Sequence, residues 1–327
     1  MAASTIVSFC DDIDSKLKHP KLTASGRPVI FYMGTTPEEI SSGVLLLCCH
    51  LVFKAGFTPA EAVARFSRIR GIPISPFREM SYDHTVYALS VLDCVNGLLK
   101  AQVHGLWDPI NFDMKSYLDL IQPGSNLTVI SPKIAILSRP AAHHIDVPPS
   151  ALVGGVGSCA EVFKGIGVTQ VVRIEKEEAL QNPSELVEQG FAVEDIIDLG
   201  SVDPSQDMID NFLGVVEAAS GRVAVYCQDG YGISCTLVAC HLIRNHGFSA
   251  AEAIGYMRVL RPGSIYGEHQ CFLEIYADSL ISTSDGDLDR PAKGLGLPCE
   301  RPVPHPSQCK ASATDFGKEA GLRSLGA

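Results

Sequence analysis

The residues of this chain best suited to chemistry sit in one short run, Tyr226-Cys227-Gln228-Asp229-Gly230-Tyr231-Gly232-Ile233-Ser234. A thiol closes a β-rich stretch, a glycine-containing loop follows, and an apolar helical stretch comes next. Backbone N–H groups in such a loop can point inward at the oxygens of a tetrahedral anion. The helix N-terminus then stabilises both that anion and a thiolate. The chemistry on offer is attack of sulfur on a phosphoryl group. The plainer reading of Cys227 is a small buried apolar residue at a strand end. Asp229 has two readings as well, a solvated loop carboxylate or a charge that keeps a phosphate dianion out. Like charges at such range cost several kcal/mol at an effective ε of about 20.

The elements that must hold this run occur twice. S-G-R-P-V-I-F-Y-M at Ser25 to Met33 and S-G-R-V-A-V-Y-C at Ser220 to Cys227 each read as a buried strand after a turn. The stretches from Leu46 and from Leu237 then align without a gap. Each is an apolar helix stopped by Gly56 or Gly247, and each is followed by a second helix opening at Thr58 or Ser249. Both openings have the capping-box spacing, with Glu61 or Glu252 three residues on, and Pro59 suits the first helical position. A matched strand, helix, glycine stop and capping box in one order indicate a tandem duplication. The copies are not equivalent, because Met33 stands where the second copy carries Cys227.

Between the copies, Met114 to Ile121 reads as a short connecting helix and P-G-S-N at Pro123 to Asn126 as a turn, and the second domain then starts with Val129 to Leu137. After Leu280 the composition turns polar and rich in Pro and Gly, which predicts a flexible tail over 283–327. The whole chain has 327 residues, 46% of them hydrophobic and 19% charged, and two globular domains fit that length. Thirty-seven acids against 26 bases give a net charge of −11 without a basic run, which argues against nucleic acid or an anionic membrane as partner. The N-terminus lacks the layout of a signal peptide, and the longest apolar stretch, Val44 to Phe53, is too short to cross a bilayer. A cytoplasmic, non-secreted protein is the expectation. Eleven cysteines without C-x-x-C pairs support neither a disulfide framework nor a zinc site, and His143 and His144 have no acid or thiol at metal spacing, so no metal or other cofactor is expected. Asn126-Leu127-Thr128 has the glycosylation spacing and reads as a turn in a protein that is not secreted.

The run from Val223 to Leu273, including R-P-G-S-I-Y-G at Arg261 to Gly267, resembles the cell-division-cycle-fourteen-type dual-specificity protein phosphatases. P-F-R at Pro76 to Arg78, L-D-C at Leu92 to Cys94, H-G at His104 and Gly105, and F-D at Phe112 and Asp113 resemble that family's nucleophile-free N-terminal domain. The resemblance spans residues 10 to 280. It implies an α/β fold of two tandem dual-specificity-phosphatase-like domains, each a central mixed sheet flanked by helices. Over this chain that gives an N-terminal domain at 1–106, a connecting segment at 107–126, a C-terminal domain at 127–282 and the tail at 283–327. It also implies a metal-free cysteinyl-phosphate mechanism and a preference for phospho-Ser followed by Pro near basic residues. Asp108, Asp113 and Asp119 lie where the family lines its groove with acids, but Lys115 and Ser116 interrupt them, and solvated surface acids are the simpler reading.

Four parts of the implied site are altered. The family's loop runs His-Cys, five residues, Arg, Thr; here His becomes Tyr226, Arg becomes Ile233, and the hydroxyl survives as Ser234. Losing Arg removes a bidentate grip on two phosphate oxygens, and such clamps are worth roughly 10³–10⁵ in rate. Losing His removes a group that helps to form the thiolate. The general acid, aligned back from Phe212, falls on Gly200, with Asp198 and Asp203 on either side as the available carboxylates. Of the two glutamines that position water, His269 and Gln270 keep one. Arg261 can support the loop by hydrogen bonding or simply end a helix. The expectation is a catalytically impaired phosphatase homologue that binds a protein or phosphoprotein as a structural subunit, with a cytoskeletal or ciliary assembly as its most specific form. The alternative is an active Ser/Thr/Tyr phosphatase using Cys227 on an unusual substrate.

Overall fold

The computed structural model describes residues 2–26, 28–67, 69, 74, 87–120, 127–138, 159–176, 184–197, 200, 203–227 and 230–284. The expected motif at Pro76 to Arg78, the turn at Pro123 to Asn126, His143 and His144, and the tail from residue 285 onward lie outside them.

Among the described residues the regular elements of the first half are all helices: α1 (Ala3–Lys18), α2 (Pro20–Ser25), α3 (Pro37–Phe53), α4 (Pro59–Ser67), α5 (Val91–Val103) and α6 (Met114–Leu120). Local chemistry sets these starts. Thr58 and Glu61 form the expected box, with Glu61 N–H donating to Thr58 Oγ1 at 3.3 Å and Thr58 N–H to Glu61 Oε2 at 2.9 Å. Gly56 turns the chain at φ +75°. The strand expected over Ser25 to Met33 does not form: Ser25 ends α2, and residues 28–33 pair with no strand among the described residues. Pro28 has no N–H to give a ladder, and Ile30 and Tyr32 are 80% and 89% exposed while Phe31 packs edge-on against Phe9. The expectation of a sheet in each domain is thereby corrected to one sheet, in the second half, among the described residues.

That sheet runs β1 (Leu127–Val129), β2 (Ile134–Ser138), β5 (Arg222–Cys227), β3 (Val168–Glu175), β4 (Ala192–Ile197) across its width. β2, β5, β3 and β4 are parallel and β1 is an antiparallel edge. The second domain therefore opens on a hairpin of β1 and β2. Ser131 Oγ accepts from the N–H groups of Lys133 and Ile134 at 3.2 and 3.0 Å, and Pro132 sits between, which makes a turn instead of continuous strand. Helices α7 (Ala160–Gly165), α8 (Ser184–Glu188), α9 (Gln206–Ala218), α10 (Ile233–His246), α11 (Ala250–Leu260) and α12 (Glu268–Ser284) complete the mixed α/β fold.

Alternation along β5 divides the core. Val223, Val225 and Cys227 face a large cluster shared with the helices of the first half, while Ala224 and Tyr226 face a smaller one with Phe163, Leu186 and Phe191. The two halves meet where α5 crosses α11 at glycine contacts. A Cβ on Gly97 would lie 2.3 Å from Glu252 O, and one on Gly255 would lie 2.8 Å from Cys94 Cα. Lys100 Nζ closes the crossing with an ion pair to Glu252 at 2.5 Å and a hydrogen bond to Gly247 O at 3.0 Å.

Candidate active site

β5 lies in the middle of the sheet, so Cys227 emerges at the carboxyl end of a central parallel strand, where ligands of open α/β sheets bind. Five residues later Gly232 caps α10 and Ile233 begins it. Gly232 has no side chain to occupy the helix N-terminus, and Gly230 turns the loop at φ +70°. Cys227 is 2% exposed. Its Sγ accepts from Gly230 N–H at 3.0 Å and is hydrogen-bonded to Ser234 Oγ at 3.0 Å. Ser234 is fully buried on the first turn of α10, and Ile233 packs its side chain against the large core cluster. Of the loop residues singled out in the sequence, Gly230, Tyr231, Gly232, Ile233 and Ser234 are gathered here, while Gln228 and Asp229 lie outside the described residues.

The first copy shows why it carries no such loop. Residues 34–36 alone separate Met33 from the start of α3. Glu39 folds its carboxylate back over the helix N-terminus, accepting from Thr36 N–H at 3.1 Å, and a Cβ on Gly34 would collide with it at 2.0 Å. The Thr36 N–H and hydroxyl hold the Glu39 carboxyl below the usual range. The helix N-terminus already has its anion, supplied by the chain itself.

Behind the cysteine loop lies a layer that the sequence only hinted at. Arg261, 3% exposed, donates from Nε to Gly230 O at 2.6 Å and from Nη1 to Thr128 Oγ1 at 2.8 Å, and its guanidinium stacks 4.5 Å from the Tyr231 ring centre. It also caps α11, so both sequence readings of this arginine hold. Ile265 N–H donates to Tyr231 O at 2.9 Å. Ile265 is buried at φ +55°, the one non-glycine with positive φ among the described residues, a strained backbone for a β-branched side chain. Arg258, 2% exposed, holds it there by donating from Nη2 to Ile265 O at 2.8 Å and to Gln270 Oε1 at 2.7 Å. Gln270 is fully buried and spends its amide nitrogen on Gly267 O at 2.9 Å. Arg258 escaped sequence reasoning, although a cation within Ala250 to Leu260, an otherwise apolar helix, was the available signal. Thr128, read first as part of a glycosylation triplet, is a buried acceptor for Arg261.

Asp203 precedes α9. The residue is exposed, yet protein crowds its carboxyl enough that desolvation, followed by the Glu268 carboxylate, raises its pKa, the direction a general acid requires. Asp198 lies outside the described residues, and Gly200, the aligned acid position, stands at φ +77°. His269 is buried with its ring 5.7 Å from Tyr266. Among the described residues no group of three His, Cys, Asp or Glu could hold a metal, and no helix is long and apolar enough to cross a membrane.

Comparison with known proteins agrees with this architecture. Residues 1–101 match the family model described as dual specificity protein phosphatase, N-terminal half. Dual specificity protein phosphatase CDC14A of Homo sapiens is 29% identical over 287 residues, covering 86% of this chain and 47% of the relative. Tyrosine-protein phosphatase CDC14 of Candida albicans is 27% identical over 278 residues, covering 81% of this chain and 49% of the relative. The chain thus spans about half the length of these relatives. Among solved structures, Tk-PTP in its active form is 21% identical with a TM-score of 0.38, covering 47% of this chain and 97% of that one. The chain is a homologue of the CDC14 dual-specificity phosphatases, with that family's N-terminal half ahead of an α/β domain whose mixed sheet is flanked by helices.

Proposed function

We propose that this protein is a catalytically impaired phosphatase homologue, a pseudophosphatase that binds a protein partner, phosphorylated or not, on a phosphatase scaffold. One observation carries the reading: the first residue of α10, where phosphoryl transfer on this loop needs a guanidinium, is Ile233, whose half-buried side chain packs against the core cluster. An alkyl group can neither hold two phosphate oxygens nor offset the charge of the transition state. The described contacts of two buried arginines behind the loop go to backbone carbonyls and neutral side chains. Arg261 donates to Gly230 O and Thr128, and Arg258 to Ile265 O and Gln270. A cytoskeletal or ciliary assembly as the partner is the most specific form of the reading. It predicts that the full-length protein co-sediments with its assembly and that removing residues 283–327 abolishes this.

The alternative, an active phosphatase on an unusual substrate, draws on the contacts kept around Cys227 Sγ and on the raised pKa of Asp203. Phosphate release from an aryl phosphate and from phospho-Ser-Pro peptides decides between them. The expected result is no release by the wild type above that of Cys227→Ser. Release confined to the wild type establishes the alternative. Ile233→Arg is expected to recover measurable turnover if the missing guanidinium is the main lesion.

A further inference from the structure

The orientation of the cysteine loop depends on a residue that lies outside it. Gly230 is held on opposite sides: its N–H donates to Cys227 Sγ at 3.0 Å, and its C=O accepts from Arg261 Nε at 2.6 Å and from Cys235 Sγ at 3.4 Å. Glycine at φ +70° has no side chain to fix its peptide planes, so its carbonyl is fixed by these two donors, of which Arg261 is the charged and closer one. The guanidinium is held in turn by Thr128 Oγ1 on the edge strand β1 and by the Tyr231 ring, while Ile265 N–H pins the next carbonyl, Tyr231 O, to the same side. Two successive carbonyls are tied backward and the Gly230 N–H is left facing the sulfur.

We infer that Arg261 is a positioning residue for Cys227: by locking Gly230 it keeps an N–H aimed at Sγ and so sustains Cys227 as a reactive thiolate. Sulfur held by an N–H donor and by the Ser234 hydroxyl gains the charge stabilisation that the His-to-Tyr226 change takes away. This inference goes beyond the functional reading above and does not depend on whether the loop turns over a phosphoester. The elements meeting at the loop carry further ionisable groups, among them Arg173 and Glu175 on β3, Tyr226 on β5, Cys235 and His241 on α10, Arg258 on α11, and Glu268 and His269 on α12; in the described contacts Gly230 O accepts from one charged donor, Arg261, and from the Cys235 thiol.

The test is the pH profile of Cys227 alkylation by iodoacetamide in the full-length protein, read by peptide mass mapping. The plateau of that profile reports access and its midpoint reports thiolate formation, so loosening of the fold and loss of the donor are separable. Peptide mapping separates Cys227 from the other thiols: Cys159 and Cys271 are half-buried, whereas burial pushes Cys10, Cys48 and Cys94 up to about 12. Arg261→Met is expected to raise the midpoint by about one pH unit, roughly tenfold less thiolate at pH 7. Lys100→Met, which removes the ion pair to Glu252 at the crossing of α5 and α11, is expected to lower thermal stability and leave the midpoint in place. If Arg261→Met fails to fold, Arg261→Lys, which keeps the charge and gives up the planar fork, is expected to shift the midpoint in the same direction by less. A wild-type midpoint in the Arg261 variants, an equal shift in Lys100→Met, or a wild-type Cys227 that resists alkylation up to pH 10 overturns the inference. Phosphate release by the wild type would sink the pseudophosphatase reading and leave this one standing.

Discussion

At the scale of single residues, the site was legible where spacing is local and illegible where contacts are remote. Cys227, Gly230, Gly232, Ile233 and Ser234 fall within eight consecutive positions, so their gathering at one strand end and helix start followed from the sequence. The contacts of Arg261 with Gly230 and Thr128 span 31 and 133 residues, and no periodicity announces such pairs. Another remote feature has a measurable consequence. His241 is buried on α10 with Nδ1 lacking a hydrogen-bond partner. Burial, then the neighbouring His246 and Lys133, lowers its pKa from 6.5 to about 4, and His246 in turn packs against His104 from the first half. The folded value lies below the unfolded one, so the unfolded chain binds more protons between pH 6.5 and about 4, and stability is lost as pH falls through that window. The loss by pH 4 is about 3 kcal/mol. Urea unfolding of wild type and His241→Leu at pH 7.5 and pH 4.5 checks this: the wild type should lose more stability on acidification, and equal losses would contradict it.

At the scale of elements, helix starts and stops were readable because they are set within four residues. The boxes at Thr58 and Ser249 and the left-handed Gly56 and Gly247 are present as expected. Strands were less readable, since a ladder needs a partner that sequence spacing does not supply. Ser25 to Met33 has the composition of β5 without its pairing, and the Ser131-Pro132 turn that separates β1 from β2 was not singled out in the sequence. The crossing of α5 and α11 was likewise hidden, because glycine inside a helix signals only a weak propensity until a neighbour is known. Its geometry predicts a large effect from a small change. Gly255→Ala would place a methyl group 2.8 Å from Cys94 Cα, backbone that cannot yield without moving the helix. We expect a loss of about 1–3 kcal/mol for Gly255→Ala, measured by thermal unfolding. Gly214→Ala on α9, where nothing lies within 4 Å, is the control and should be neutral or stabilising. Equal effects at the two positions would mean that the helices cross less closely than described.

At the scale of the whole molecule, the two halves differ at the helix N-terminus that follows the matched stretches. The first half has filled its own helix N-terminus with Glu39 and contributes packing, and the second keeps an open helix N-terminus behind Cys227. Because one hydrophobic cluster runs through both halves, they should unfold together. Trp107, the single tryptophan, is buried edge-on against Phe53 in the first half and reports on that half, while far-UV circular dichroism reports on all helices. Coincident urea transitions by the two probes are expected, and separated transitions would show that the halves are independent. The central claim concerns chemistry, and it rests on Ile233 standing where a guanidinium is needed. It is tested most directly by phosphate release from an aryl phosphate and phospho-Ser-Pro peptides, with purified wild type beside Cys227→Ser. The account predicts that the two are indistinguishable. Release by the wild type that disappears in Cys227→Ser would contradict it.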